Sequence, residues 1–385
     1  MIDIKYKKIY DEFITKYEEI HVDPWHEINK EELDNIYNQL VNSMDINNAY
    51  SFKYFMDYII KRLSGYSDAH TKYQKVDLIP LNFRMFDNEV LINYPDYMKG
   101  YKLVSINKIP LDNIIKELEE VITYGTGGKR KYELEKALFN KDIMFSLPLL
   151  KSDELVYEIE DLEGNIVQRT FSKTESYDDM FDYDNYRFGN NTQYRFIDNC
   201  LVYNHSSVQQ RFEKEIINSI EKLKEEDLSN VDTIIIDIRG NTGGDSRLNK
   251  LLIDFLEENK NKKLICLTDY RVFSSGRFVL KDLIDLGAVT IGEEISTPMN
   301  CFGNSYWFEI DGYEFTVSRS YFHPLVEWGA SSKEEFERGK NEDLLKPYIF
   351  KPSILINETK EDYINNIDTI LNYALEHSKK MKLDK

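Results

Sequence analysis

The chain of 385 residues carries 49 Lys and Arg against 68 Asp and Glu, a formal net charge of −19, with 42% hydrophobic and 13% aromatic residues. That balance argues against a phosphate backbone or an anionic membrane as the main partner, and the apolar content argues against a disordered chain. Cys200, Cys266 and Cys301 are few and far apart, offer neither a disulfide framework nor metal-ligand spacing, and read as reduced, buried thiols. Charges interrupt every short apolar run of the N-terminus, and no stretch approaches the roughly 20 apolar residues that span a bilayer. The expectation is a soluble cytoplasmic protein.

Helical spacing opens the chain. Tyr6, Ile9, Tyr10, Phe13, Ile14 and Tyr17 share one face, as do Leu33, Ile36, Tyr37, Leu40 and Val41. A third run from Tyr54 to Leu63 stops at Gly65, which suits a helix C-terminus. The polar turn Ser67-Asp68-Ala69-His70-Thr71 follows directly. From about residue 76 short strands take over: residues 100–111 read as two strands about a turn at Asn107-Lys108, then a helix marked by Ile114, Ile115, Leu118 and Val121. Residues 124–131, YGTGGKRK, read as a linker. They are no phosphate loop, because no apolar strand precedes them and Arg130 stands where Ser or Thr is needed.

Beyond residue 150 the signals alternate. LVYEIED and GNIVQRTF form a hairpin, CLVYNH a strand, and Phe212, Ile216, Ile217, Ile220 and Leu223 a helix. Thr233-Ile-Ile-Ile-Asp-Ile238 is an apolar run of the kind buried on both faces of a sheet. A helix through Leu248–Leu256, the strand KLICLTD, a helix over about 276–286 and the strand AVTIGE follow, an order that predicts right-handed crossovers in one α/β sheet. SYWFEI and YEFTVS flank Asp311-Gly312, a strong hairpin signal, and one helix carrying Ile364 to Leu375 closes the chain.

Two loops stand out because each follows a buried strand and opens a helix, the edge where open α/β sheets bind ligands. In Arg239-Gly240-Asn241-Thr242-Gly243-Gly244-Asp245 the paired glycines permit a sharp turn and outward N–H groups, which suits an oxyanion, an anion such as phosphate, or a plain tight turn. In Val272-Phe273-Ser274-Ser275-Gly276-Arg277-Phe278 a serine between strand end and helix start suits a nucleophile facing the helix N-terminus, or a helix cap. A serine nucleophile needs a base. His70, in its polar turn, is the first candidate and His205, at a strand end, the second.

Together these segments resemble the carboxy-terminal-processing and tricorn-type serine peptidase family, which includes the interphotoreceptor retinoid-binding proteins. IIIDIRGNTGG resembles its apolar strand and D-x-R-x-N-x-G-G block; FSSGRF followed by LGAVTIGEE resembles its nucleophile helix and G-E strand. LSGYSDAHT resembles the L-x-D-x-H-T turn of the tricorn-like branch, and KLVSINKIPLDNII the carboxyl half of a PDZ-like insert. The resemblance implies a crotonase/ClpP-like α/β protease core over 146–385, an N-terminal helical domain over 1–75, and a small PDZ-like α+β insert over 76–145. It implies a serine peptidase acting on unfolded or short peptides with no cofactor or metal and no nucleic-acid or membrane partner. Ser274 falls on the nucleophile, His70 on the general base, and Gly243 or Gly244 with the Ser275 amide on the oxyanion hole; the acid supporting the base is unassigned, with Asp68, Glu293, Glu327 and Glu342 as candidates. Arg277 replaces a family acid, Pro298 falls near the processing branch's lysine, and Lys346 falls about where the tricorn-like branch has Glu. These cations motivate an alternative, a catalytically inactive binding protein on the same scaffold.

Overall fold

The structure, a computed structural model, describes residues 1–74, 76–87, 89–177 and 191–381. The chain divides into two compact units, residues 1–182 with 300–347, and residues 183–299 with 348–385.

In the first unit the three expected helices run Ile4–Ile20, Lys30–Ser43 and Ala49–Ser64. Asp3, Asn29 and Asn48 cap their first turns with side-chain oxygens, and Gly65 ends the third at φ +50°. The helical segment does not stand alone. Phe13, Phe52 and Phe55 pack on Phe308, Phe315 and Val317 of the hairpin Cys301–Ile310/Tyr313–His323 in one buried cluster. Its turn residues Asp311 and Gly312 both take positive φ, 49° and 82°, which matches the twist of the strands. Lys72–Tyr73 pairs along the hairpin's second strand, so the turn holding His70 leads straight into this sheet.

A second sheet in this unit runs in the order Asn82–Phe86, Glu89–Tyr94, Lys102–Ile106, Glu154–Glu160, Ile166–Ser172 and is antiparallel throughout. Its last two strands come from beyond residue 145. The stretch read as a linker is instead the start of a helix, Gly127–Phe139. Thr126 accepts the Lys129 N–H at 2.9 Å to cap it, and Lys129, buried, meets Glu133 one turn on at 2.6 Å. A buried ion pair within the helix hides its core face from any apolar-periodicity reading.

The second unit is built on the expected α/β sheet. Cys200–Asn204, Thr233–Asp237, Lys263–Thr268, Val289–Gly292 and Ile354–Leu355 are mutually parallel, with Tyr194–Ile197 antiparallel at one edge. Ile234 pairs with both Leu201 and Leu264, which places the isoleucine run at the centre and explains its burial on both faces. The helices Glu213–Glu225, Asn249–Glu258 and Gly276–Asp285 connect the strands. The closing helix is two pieces, Lys360–Ile364 and Thr369–Ser378, broken at Asn366 (φ 57°) and restarted by the cap of Asp368 on the Leu371 N–H. Among the described residues no helix is long and apolar enough to cross a membrane, and the three cysteines are buried and outside any disulfide.

Candidate active site

The two glycine- and serine-bearing loops lie side by side at the carboxyl ends of Thr233–Asp237 and Lys263–Thr268. Arg239 anchors the first. It grips both carboxylate oxygens of Asp237 at 2.9 and 2.7 Å, and both of Asp368 at 2.7 Å. The Asp-x-Arg of this loop is thus a clamp joining the sheet's edge to the cap of the last helix. Asn241, wholly buried, sends its amide to the His205 carbonyl at 2.8 Å, and its Oδ1 accepts the Gly243 N–H at 2.9 Å. Its own carbonyl accepts the Phe273 N–H at 2.9 Å, so one asparagine fastens the two loops together.

Their approach explains the glycines. A Cβ on Gly243 (φ 91°) would stand 2.5 Å from the Ser275 nitrogen and 2.9 Å from Ser274 Cβ; one on Gly244 (φ 136°) would stand 2.3 Å from the Val208 carbonyl oxygen. Of the amides expected to line an anion hole, that of Gly243 is committed to Asn241. Those of Gly244 and Ser275 donate to no partner among the described residues.

Ser274 sits at the turn into Gly276–Asp285 with φ +50°, a left-handed conformation that costs a non-glycine residue about 1–2 kcal/mol. Ser275 is not its equal. Its hydroxyl donates to the Gly244 carbonyl at 2.7 Å, and it makes no side-chain cap. Arg277, 2% exposed, turns back over the turn: Nε donates to the Ser274 carbonyl at 3.1 Å and NH1 to the carbonyls of Pro298 and Met299. The cation standing where the resemblance implies an acid is a strut holding the Ser274 backbone.

In the first unit His70 is held from two directions. Its Nδ1 lies 3.0 Å from the Phe302 carbonyl oxygen, which can only accept, so the neutral ring carries its proton on Nδ1 and leaves Nε2 as acceptor. Its backbone N–H donates to Asp68 Oδ1 at 3.0 Å. Asp68 does not touch the ring. Wholly buried, it accepts the N–H groups of His70 and Thr71 and the hydroxyls of Thr71 and Ser318, the last at 2.6 Å. Burial opposes its charge, but the neighbouring His21 and these donors outweigh that and hold its carboxyl well below the usual carboxylate range. His21 Nε2 lies 3.3 Å from Asp68 Oδ2 while Nδ1 accepts the Asp23 N–H at 3.1 Å. The His21 ring in turn packs on His26 and on the Phe302 ring. Phe302 and Ser318 gave no sequence signal, because one acts through a carbonyl and both lie far from residue 70 in the chain.

His205, the second candidate base, is a scaffold residue. It is wholly buried, with Nε2 at 3.1 Å from Asn249 Oδ1 and its carbonyl taken by Asn241. Burial pushes its imidazole down to about 4. Because the folded value lies below that of the unfolded chain, the stability this neutral ring contributes is full above about pH 6.5 and is lost as pH falls toward 4, by about 3 kcal/mol. Urea unfolding across that window is expected to show the slope, and a His205→Gln variant to flatten it. Glu293, buried at the end of Val289–Gly292, donates its N–H to the Thr268 carbonyl at 3.0 Å. Among the described residues no cluster of three or more His, Cys, Asp or Glu is placed to hold a metal ion.

No protein-family model and no curated protein matches this sequence. Among solved structures, mature CPAF complexed with lactacystin matches over 98% of this chain and 98% of that chain, with a TM-score of 0.66 at 9% identity. Mature CPAF alone matches over 93% and 92%, with a TM-score of 0.60 at 10% identity. The photosystem II D1 C-terminal processing protease matches over 92% and 94%, with a TM-score of 0.43 at 9% identity. At these identities the likeness to the two CPAF structures is one of fold.

Proposed function

We propose that this chain, which has the fold of the C-terminal-processing serine peptidases, is itself a serine peptidase acting on unfolded or short peptides. The observation that carries the reading is Ser274, a non-glycine residue held at φ +50° at the turn into a helix, its carbonyl braced by a buried arginine.

In the proposed reaction His70 Nε2 takes the proton of Ser274 Oγ as that oxygen attacks the peptide carbonyl, and later delivers it to the leaving amine. The Phe302 carbonyl holds the ring in the required tautomer and supports the imidazolium as it forms, a part that other serine peptidases give to a carboxylate. Asp68 shapes the backbone of the turn rather than the ring. The amides of Gly244 and Ser275 receive the oxyanion, a pair of donors worth about 3–4 kcal/mol of barrier each; Gly243 serves by letting the loops touch. The parallel sheet and its helices correspond to the crotonase-like core, and the antiparallel sheet Asn82–Ser172 to a PDZ-like insert. The complex of CPAF with lactacystin supports a peptide-like ligand class.

The Arg277 charge, one of the two that favoured a binding-only reading, finds another account, since Arg277 directs its N–H groups to three carbonyls. Incubation with reduced, carboxymethylated casein tests the proposal: new peptide termini detected by mass spectrometry are expected from the wild type. An intact substrate after prolonged incubation would contradict it.

A further inference from the structure

The hairpin that orients His70 has two unlike faces. Along Cys301–Ile310 the pairing with the second strand keeps one register and assigns side chains to alternate faces, Asn304 alone leaving the extended region at φ 54°. Phe308 and Ile310 enter the core under the N-terminal helices, and Tyr306 stacks toward Phe308 on that same side. Gly303, Ser305 and Trp307 take the opposite face. A Cβ on Gly303 would stand 3.3 Å from His70 Cε1, so this second face begins directly against the imidazole.

Across the hairpin the same face carries Ser320, Ser318 and Thr316, paired with Gly303, Ser305 and Trp307 respectively. Ser318 bonds Asp68, and Thr316 Oγ1 donates to the His70 carbonyl at 2.8 Å, so small polar residues let the His70 segment lie on the second strand. The first strand is left open beside it: Ser305 is exposed and Trp307 is 54% exposed, its indole touching no other ring among the described residues. Beyond Phe302, which meets the Asp68 segment, no strand among the described residues pairs along the outer edge of Cys301–Ile310. An exposed tryptophan on a run of glycine and serine leading away from a general base is a platform without an occupant.

We infer that this face is the track along which an extended peptide substrate runs, and that the Trp307 indole receives an apolar or aromatic side chain about four residues from the scissile bond. The inference rests on the peptidase reading of His70. The spacing follows from strand geometry: Gly303 and Trp307 are four residues, about 13 Å, apart, and an extended substrate covers that span with about four of its own. Stacking on a large rigid ring favours Phe, Tyr or Leu over a small polar residue at that place by about tenfold.

Sequencing every cut that the protein makes in reduced, carboxymethylated casein tests it. The wild type is expected to favour Phe, Tyr or Leu at the fourth residue on one side of the cut. Trp307→Ser is expected to lose that preference about tenfold, and Trp307→Phe, which keeps a ring, to retain most of it. Cuts with no such preference, or a preference untouched by Trp307→Ser, would overturn the track while leaving the peptidase standing. Should the wild type make no cuts, the peptidase reading itself fails, and calorimetric titration of the Ser274→Ala protein with octapeptides carrying one Phe or none judges the track alone. Preference for the Phe peptide, abolished by Trp307→Ser, sustains it; equal binding overturns it.

Discussion

Ser274→Ala is expected to lower kcat/KM on an unfolded protein substrate by about 10⁴-fold or more, His70→Gln by a comparable factor, and the double variant by no more than the worse single change. In the proposed reaction nucleophile and base act as one unit: without the hydroxyl there is no proton for His70 to take, and without Nε2 the hydroxyl attacks as a neutral alcohol. On the same proposal the residual rate that survives belongs to the Gly244 and Ser275 amides, which none of these substitutions touches. Multiplying losses would mean that the two residues work independently, contrary to the proposed chemistry. The steady-state kinetics of the four proteins decide between these outcomes. Alanine tolerates φ +50° no better than serine, so the loss of activity is expected without a gain or loss in Tm beyond a degree or two.

The second large effect concerns Asp68, whose influence passes through the backbone. An asparagine in its place can keep its oxygen where the N–H groups of His70 and Thr71 and the Ser318 hydroxyl donate. It then brings an NH2 group against the Thr71 hydroxyl, which already donates to the second carboxylate oxygen, and against the His21 Nε2–H beside it. Asp68→Asn is therefore expected to cost about 3 kcal/mol, a fall in Tm of roughly 5–10 °C, and to slacken the turn that presents His70. A native carboxyl held below the usual range contributes stability that is complete above about pH 4 and drains away as pH falls further. Calorimetric melts between pH 3 and 7 are expected to show that acid slope in the wild type and a shallower one in Asp68→Asn. A variant with unchanged Tm and slope would remove Asp68 from the account of how His70 is held.

Much of this was legible in the residues. Period-2 and period-3.6 patterns located the isoleucine strand, the hairpin about Asp311-Gly312 and the three opening helices, because each buries one simple apolar face. Gly243, Gly244 and Ser274 declared themselves by type and order, since a close loop approach and a strand–helix turn leave few choices. The helix at Gly127–Phe139 stayed hidden, as its buried face includes Lys129 held by Glu133 and its start is a glycine pair that reads as a linker. The partner of the His70 ring could not be read at all. It is the main-chain carbonyl of Phe302, which any residue supplies, brought to position 70 by a hairpin more than two hundred residues away. Arg277 misled for a related reason: its charge suggested a disabled site, and only the folded backbone reveals that its N–H groups are taken by the carbonyls of Ser274, Pro298 and Met299.

The central claim, an activated Ser274 served by His70, is tested most directly by intact-mass labelling with a fluorophosphonate probe. One adduct is expected on the wild type, none on Ser274→Ala, and slow labelling on His70→Gln. An adduct that survives Ser274→Ala, or a wild type that the probe leaves unmodified, would contradict it.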